Sequence, residues 1–183
     1  MPSPFQIRQA TRTLLQGGVI SYPTESVFGL GCDPLSITSV YKILNLKQRP
    51  VDKGLILIAS KLCQLEPYTR LTPADKEKIL RQKTPTTWLV KKSEFTPEWI
   101  SGKHPKVAIR LSSHPTVKAL CDELGGAIVS TSANPSSLPA ARIALDIQIY
   151  FSDDIDYCLN GELGEIKNAT PIIDIESGKF TRA

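Results

Sequence analysis

The sequence predicts an α/β fold built on a mixed β-sheet. Short apolar runs that suit buried strands alternate with helices whose ends are marked by capping residues, and this alternation continues along most of the 183 residues. A chain of this length suits one domain and is long enough to enclose a hydrophobic core. We therefore expect a single domain that spans residues 1–183.

Four helices are predicted, each from a side-chain cap and an apolar stripe. The expected N-caps are Ser3, Ser36, Thr72 and Ser113. The expected inward-facing residues, helix by helix, are Ile7, Ala10 and Leu14; Ile37, Val40, Ile43 and Leu44; Ile79 and Leu80; and Val117, Leu120, Cys121 and Leu124. Glycine pairs end the first and last helices, and a proline limits the second.

Strands are expected in the short apolar or β-branched runs between these helices. The runs cover residues 19–22, 54–59, 86–90, 107–111, 127–130 and 172–175. In open α/β sheets, ligands bind in the loops beyond the strand ends. The polar clusters in such loops are therefore the first candidates for a functional site.

Composition is that of an ordinary globular protein. The hydrophobic content of 41% and the charged content of 22% are typical of that class. No apolar run approaches the ~20 residues needed to cross a bilayer, and residues 1–5 lack the pattern of a signal peptide. The four cysteines are scattered and only two histidines are present, which argues against a zinc site or a Cys–His nucleophile. We expect a cytoplasmic protein with reduced thiols.

A group of cations precedes the apolar run at residues 54–59. Lys47, Arg49 and Lys53 lie close together in sequence, with Asp52 as the acid among them. In an extended segment Lys47 and Arg49 would point to one side, roughly 7 Å apart, and repel each other by about 2 kcal/mol at an effective dielectric near 20. The segment either binds an anion or is a solvated loop, and its residues alone leave both interpretations open.

Other polar groups follow the predicted strands. Thr24 lies in the loop after the first strand, and the loop Ser130–Asn134 offers three hydroxyls and an amide. This second loop either binds a ligand or is a turn, because serine and asparagine are common in turns. Arg110 either borders a cavity or lies on a solvated sheet face, and Arg142 either closes the same cavity or lies on a surface helix. Neither a Walker phosphate loop nor a GxGxxG motif is present.

Three segments together resemble the YrdC/TsaC family. The stretch 22–31 (YPTESVFGLG) resembles its opening signature, Lys47–Pro50 with Lys53 resembles its KxR element, and Ser130–Asn134 resembles its SxN element. The likeness extends from about the first helix to Asp174 and is strongest to the short, single-domain bacterial branch. The chain departs from the family pattern at residues 82–87, 135–137 and 169–171.

The resemblance implies a single-domain YrdC-like fold, with a twisted mixed sheet, flanking helices and a basic concave face. It implies a threonylcarbamoyl-AMP synthase that consumes L-threonine, bicarbonate and ATP, releases pyrophosphate and serves t6A formation at position 37 of tRNA. ATP is then a substrate that carries Mg²⁺, with no tightly bound cofactor and no protein-only metal site. Proteins of the TsaB, TsaD and TsaE type are the implied partners, direct tRNA contact is an open question, and no membrane is involved.

The resemblance also implies roles for individual residues. Lys47 and Arg49 are expected to hold the ATP phosphates, so that catalysis depends on positioning and charge neutralisation. Ser132 and Asn134 are expected to bind phosphate or the threonine-derived carboxylate. The remaining residues expected to bind threonine or ATP are Thr24, Lys53, Arg110, Ser130, Arg142 and Thr170.

Two competing interpretations remain at this point. One is an RNA-binding or translation-associated module that uses the basic concavity without catalysis. The cation segment has no interleaved aromatic residues for base stacking, which weakens that interpretation for single-stranded RNA. The other is an α/β domain with an anion site and no catalytic activity.

Overall fold

A computed structural model describes residues 1–166 and 168–182, apart from the side chain of Arg182. The strands of the described chain are β1 (Ile20–Pro23), β2 (Phe28–Gly31), β3 (Ile56–Ala59), β4 (Thr87–Lys91), β5 (Lys106–Leu111), β6 (Ile128–Ser132), β7 (Tyr157–Cys158), β8 (Ile172–Asp174) and β9 (Phe180–Arg182). The α-helices are α1 (Pro4–Leu15), α2 (Ile37–Leu46), α3 (Pro73–Arg81), α4 (Glu98–Ser101), α5 (Pro115–Leu124) and α6 (Ala144–Phe151).

The strands form one mixed sheet in the order β7-β1-β2-β6-β3-β5-β4-β8-β9. The pairs β1–β7, β3–β5 and β4–β8 are parallel, and the other neighbouring pairs are antiparallel. Strand β6 lies between β2 and β3, so a late part of the chain joins two early parts. The predicted α/β fold class with a mixed sheet and flanking helices is confirmed.

Alternating residues of the sheet divide the core between its two faces. Ile20, Ile58 and Ile128 pack with the apolar sides of α1 and α5 on one face. Val19, directly before β1, and Val129, next to Ile128 on β6, belong to a second cluster with residues of α2, α3, α4 and α6. Because side chains alternate along a strand, this division follows directly from the strand geometry.

Local sequence signals explain the helix starts. Ser3 and Thr72 each accept a hydrogen bond from the backbone N–H three residues later, and a proline occupies the first helical position of α1 and α3. Ser36 caps α2 through the N–H of Ser39. Gly125 ends α5 in the left-handed conformation, with φ of 73°. The four predicted helices and the six predicted strands are present, with ends shifted by one or two residues.

Three details of the helix predictions are wrong. Ile37 is 46% exposed because it occupies the first position of α2, one turn before the buried stripe begins. Leu80 is 63% exposed because consecutive helical residues point about 100° apart, and Ile79 takes the inward direction. Ser113 does not cap α5: the cap position is His114, without a side-chain hydrogen bond.

The sequence also left some elements unpredicted. The glycine-containing stretch Phe28–Gly31 is strand β2, which is fully buried between β1 and β6. Four short elements were also missed, because their hydrophobic patterns span too few residues to be recognised: β7, β9, α4 and α6. In the part of the chain that is described, no helix has the length and apolar character to cross a membrane.

Candidate active site

A cleft of about 510 Å³ opens on the sheet face that carries α1 and α5. Its floor is a row of residues in register across four strands: Ser130 on β6, Ile56 on β3, Ala108 on β5 and Leu89 on β4. Ile58 lies on the same face, two residues further along β3, but is packed under the helices. The cleft therefore occupies the part of the sheet that α1 and α5 leave uncovered.

The charged side chains of the cleft wall are cationic. Arg49, Lys53, Lys106 and Arg110 line the cleft, and no Asp or Glu is among the described lining residues. Lys106 is paired with Asp174 and Glu176, each at 2.6 Å, which raises the pKa of its ammonium and neutralises much of its charge. The cleft therefore favours anionic ligands.

Arg49 reaches the cleft because α2 ends in a tight turn. Gln48 adopts a positive φ of 49°, and the N–H of Arg49 bonds to the carbonyl of Leu44 at 2.9 Å. This turn is a Schellman-type helix end. The premise of an extended segment with Lys47 and Arg49 on one side is therefore wrong. The Arg49 guanidinium donates Nη2–H to the carbonyl of Gly54 at 3.0 Å.

The prediction of a loop at Ser130–Asn134 is wrong for its first three residues, because Ser130–Ser132 continue strand β6 and pair with its neighbours. Lys47 lies beneath the end of β6 and the loop that follows it, and is only 4% exposed. Its Nζ donates to the carbonyls of Ser132 at 2.5 Å and Asn134 at 2.8 Å, and contacts Oδ1 of Asn134 at 3.3 Å. The hydroxyl of Ser136 donates in return to the Lys47 carbonyl at 2.5 Å. Lys47 therefore ties the loop to the end of α2, and it is not among the described lining residues.

Burial also changes the acidity of Lys47. Desolvation, and secondarily the charge of Arg49, lowers the pKa of its ammonium to about 8. This lysine therefore loses its proton at a lower pH than an exposed lysine does, because burial penalises the charged form. The backbone that it holds carries Ser132, the last residue of β6, and Asn134 in the loop that follows, and both line the cleft.

The hydroxyl residues predicted for the site line the same cleft. Thr24 is 2% exposed, and its hydroxyl donates to the Val27 carbonyl at 2.7 Å, which fixes the turn between β1 and β2. Thr170 is also 2% exposed, with its hydroxyl 3.5 Å from that of Thr87. Ser130 is buried on the cleft floor.

Arg110 borders the cleft, so the alternative of a solvated sheet face is excluded. It is 7% exposed, and its Nε donates to the Thr87 hydroxyl at 3.0 Å. Its Nη1 lies 3.8 Å from Oε2 of Glu25, a buried carboxylate that was not predicted from the sequence. The available signal was an acidic residue in the loop directly after a buried strand.

Arg142 occupies a different place. It precedes α6, is exposed, and donates Nη1–H to the Ser26 carbonyl at 3.0 Å. It lies outside the described lining and contacts the Thr24–Ser26 turn.

Of the ten predicted site residues, eight line the cleft: Thr24, Arg49, Lys53, Arg110, Ser130, Ser132, Asn134 and Thr170. The other two, Lys47 and Arg142, bond to backbone carbonyls of segments that form the cleft wall.

Comparison with known proteins gives consistent full-length matches. The model of the family Sua5_yciO_yrdC, described as telomere recombination, matches residues 12–183. The threonylcarbamoyl-AMP synthase of Pseudomonas putida strain KT2440 is 45% identical over 186 residues, covering 100% of this chain and 99% of that protein. The threonylcarbamoyl-AMP synthase of Halorhodospira halophila is 44% identical, covering 98% and 95%.

Solved structures with the same fold are also similar. P. abyssi Sua5 in complex with L-threonine superposes with a TM-score of 0.87 and 29% identity, covering 94% of this chain. The chain spans only 51% of that longer protein. E. coli YciO superposes with a TM-score of 0.84 and 26% identity, covering 100% of this chain and 90% of YciO.

Proposed function

The chain belongs to the Sua5/YciO/YrdC family, and we propose that its cleft forms threonylcarbamoyl-AMP from L-threonine, bicarbonate and ATP with release of pyrophosphate. Relatives of the same length are named for this activity. Like them, the chain is an ATP-dependent enzyme that makes threonylcarbamoyl-AMP. The observation that carries the proposal for the site is that one cleft has two cationic regions and no described acidic lining residue.

The two cationic regions lie at different positions along the sheet. Arg49 is bonded to the Gly54 carbonyl, just before β3, whereas Arg110 pairs in register with Ile58. Ile58 lies four residues after Gly54, which corresponds to about 13 Å at ~3.3 Å per residue of extended chain. This spacing provides two separate anion subsites, as a reaction between two anionic substrates requires.

We assign the triphosphate to the open subsite around Arg49 and Lys53. A triphosphate carries several negative charges, and the exposed Lys53 and the bidentate geometry of Arg49 suit it. Ser132 at the end of β6 and Asn134 in the loop that follows line the same cleft and supply further hydrogen bonds. In this proposal Mg²⁺ would enter as part of the MgATP substrate and would offset the charge of its phosphates.

We assign the threonine carboxylate to the buried subsite at Arg110. A guanidinium that is already paired with one carboxylate suits a ligand with a single negative charge better than a triphosphate. Thr24, Ser130 and Thr170 surround the same part of the cleft and can orient the amino acid. P. abyssi Sua5, which has the same fold, has been crystallised in complex with L-threonine, and this supports an amino-acid subsite here.

Lys47 and Arg142 act on this site through its loops. Lys47 holds the backbone of Ser132 and Asn134, and its positive charge beneath the loop favours the triphosphate above it. Arg142 holds the Ser26 carbonyl and so supports the turn that carries Thr24. In this proposal both residues position groups that contact substrate.

The chemistry needs no covalent nucleophile from the protein. The threonine amine captures bicarbonate with loss of water, and an oxygen of the resulting carbamate attacks the α-phosphorus of ATP. The bond from that phosphorus to the bridging oxygen of the β-phosphate breaks, and pyrophosphate leaves. Arg49 and its neighbours offset the charge that develops on phosphate oxygens, while the two subsites hold the reactants in line.

The product is a reactive mixed anhydride, which indicates that a transferase must take it up. We propose that TsaB-, TsaD- and TsaE-type proteins move the threonylcarbamoyl group to adenosine 37 of tRNA, in the cytoplasm. Direct tRNA contact with the basic cleft rim is a second element of this proposal. The purely RNA-binding alternative is not favoured, because the full-length relatives are named as synthases.

Pyrophosphate release from ATP tests the function. We expect release that depends on both L-threonine and bicarbonate, measured with a coupled phosphate assay. Release that ignores either substrate, or no release at all, would contradict the synthase proposal. Salt-dependent tRNA binding without pyrophosphate release would instead support the RNA-binding module.

A further inference from the structure

We infer that Glu25 is a positioning residue that holds the Arg110 guanidinium in the orientation that receives the threonine carboxylate. The inference deepens the threonine subsite and so rests on the proposed function. Glu25 is not among the described residues of the cleft wall, so it acts through Arg110 rather than on the substrate itself.

The pair is buried at the edge of the cleft. Glu25 is 5% exposed and Arg110 is 7% exposed, and Oε2 of Glu25 lies 3.8 Å from Nη1 of Arg110. The Thr87 hydroxyl accepts a hydrogen bond from Nε of the same guanidinium at 3.0 Å. The hydrogen bond at Nε and the ion pair at Nη1 restrict rotation of the guanidinium plane. This restriction determines which edge of the guanidinium faces the cleft.

Glu25 is itself held in place by its second carboxylate oxygen. The Ser112 hydroxyl donates a hydrogen bond to Oε1 of Glu25. The hydroxyl oxygen of Ser112 accepts the N–H of His114, the residue that caps α5, at 3.1 Å. The carboxylate is therefore anchored to the segment between β5 and α5 as well as to Arg110 on β5.

The backbone around Glu25 is equally restrained. Its carbonyl accepts the N–H of Ile166 at 3.1 Å, and the Thr24 carbonyl accepts that of Gly164 at 3.0 Å. A Cβ added to Gly164 would lie 2.7 Å from the Glu25 carbonyl oxygen and 2.8 Å from its Cα. This close backbone packing leaves Glu25 little freedom to move away from Arg110.

Two physical effects of Glu25 predict opposite results when its charge is removed. As a charge, Glu25 repels an incoming carboxylate, so its neutralisation alone would strengthen threonine binding. As a positioning group, it fixes Arg110, so its loss weakens threonine binding. The contacts on both carboxylate oxygens favour the positioning effect, and the sign of the change in KM distinguishes the two.

The test is steady-state pyrophosphate release by Glu25→Gln, which preserves size and removes the charge. We expect the KM for L-threonine to rise about tenfold, because loss of the Glu25–Arg110 ion pair lets the guanidinium turn away from the ligand. The KM for ATP should change less than about twofold. Ser112→Ala should raise the same KM by a smaller factor, and Glu25→Asp should restore part of the wild-type value. Glu123→Gln, an exposed acid on α5, is the matched control and should leave both KM values unchanged.

Other results would overturn the inference. An unchanged or lowered KM for L-threonine in Glu25→Gln would show that its charge, not its position, matters. An equal rise in both KM values would indicate a general structural role. If Glu25→Gln does not fold, Ser112→Ala and Glu25→Asp decide the question in the same assay. Failure of the proposed function is distinct, since it would appear as absent threonine-dependent release in the wild-type protein.

Discussion

Lys47 and Arg49 are close in sequence but differ in burial. Lys47 and Arg49 are two residues apart, yet Lys47 is buried under a loop while Arg49 lines the cleft. A buried lysine can lose its proton, whereas an arginine stays charged throughout the usable pH range. We therefore expect a pH-dependent contribution to activity from Lys47 and a pH-independent one from Arg49.

The pKa of about 8 at Lys47 predicts a pH-dependent loss of activity. The neutral amine is a weaker partner for the Ser132 and Asn134 carbonyls and adds no charge beneath the triphosphate. We expect kcat/KM for ATP to fall about tenfold per pH unit above about 8, relative to Lys47→Arg, which stays charged. Threonine and bicarbonate titrate equally in both assays, so the ratio of the wild-type pH profile to the Lys47→Arg profile reports Lys47 alone. Parallel profiles would contradict this assignment.

The same shift predicts the direction of a stability change. The folded pKa of about 8 lies below the ordinary value of 10.5, so the folded state binds fewer protons between these pH values. Stability should therefore rise with pH in that window, and below pH 8 Lys47 should contribute no slope. Urea unfolding of the wild type and Lys47→Met across this range measures the effect. A slope that persists in Lys47→Met would belong to other groups.

Substitution of Arg49 should lower kcat/KM for ATP more than kcat/KM for L-threonine. Arg49→Ala removes a cation that we assign to the triphosphate, and we expect kcat/KM for ATP to fall about 100-fold. Arg49→Lys keeps the charge but loses the planar guanidinium, and should fall in between. Arg81→Ala removes an exposed arginine of α3 and is the control. Wild-type kinetics in Arg49→Ala would contradict the assignment of Arg49 to the phosphate subsite.

At the scale of elements, β2 depends on glycine for its place in the sheet. It lies between β1 and β6, and a Cβ at Gly31 would lie 2.7 Å from a ring carbon of Tyr22 and 2.8 Å from the Val129 carbonyl oxygen. Neither atom can move easily, because the Tyr22 ring is fully buried and the carbonyl belongs to the sheet. The glycine that obscured this strand in the sequence is what allows it to fit.

We therefore expect Gly31→Ala to lower the free energy of unfolding by about 3 kcal/mol through overpacking. Gly126→Ala is the control, since no atom lies within 4 Å of its added Cβ. Urea unfolding monitored by tryptophan fluorescence measures both variants. Equal stability of the two would show that β2 tolerates a side chain at this position.

At the scale of the whole molecule, the sheet order joins distant parts of the chain. Strand β6 pairs with both β2 and β3, and β4 pairs with β8 near the end of the chain. No single cut in the sequence separates the sheet into independent parts. This topology supports the proposal that residues 1–183 form one domain.

A single domain predicts one cooperative unfolding transition. Trp88 on β4 and Trp99 in α4 report tertiary structure, and far-ultraviolet circular dichroism reports the sheet and helices. We expect both signals to give the same midpoint in urea, because the elements share one sheet. MgATP should shift both midpoints together through preferential binding to the folded state. Two separate midpoints would contradict the single domain.

The sequence alone determined four of the helices, six of the strands and most of the predicted site residues that line the cleft. Caps such as Ser3 and Thr72 and stripes such as Val40, Ile43 and Leu44 are local signals, so they predicted helices correctly. Three motifs, together with two isolated polar residues, also supplied eight residues of the cleft wall. Predictions failed where local spacing was ambiguous, as at Leu80, which adjoins the residue that faces the core.

The division of roles among those residues follows from the way that the chain folds. Whether a lysine lines a cleft or supports it depends on burial and on partners more than 80 residues away, as the bonds from Lys47 to Ser132 and Asn134 illustrate. Likewise, the contacts of Glu25 with Arg110 on β5 and with Ser112 directly after β5 join residues more than 80 positions apart. The sequence carries residue types and local spacing, whereas desolvation and charge pairing arise when distant segments meet.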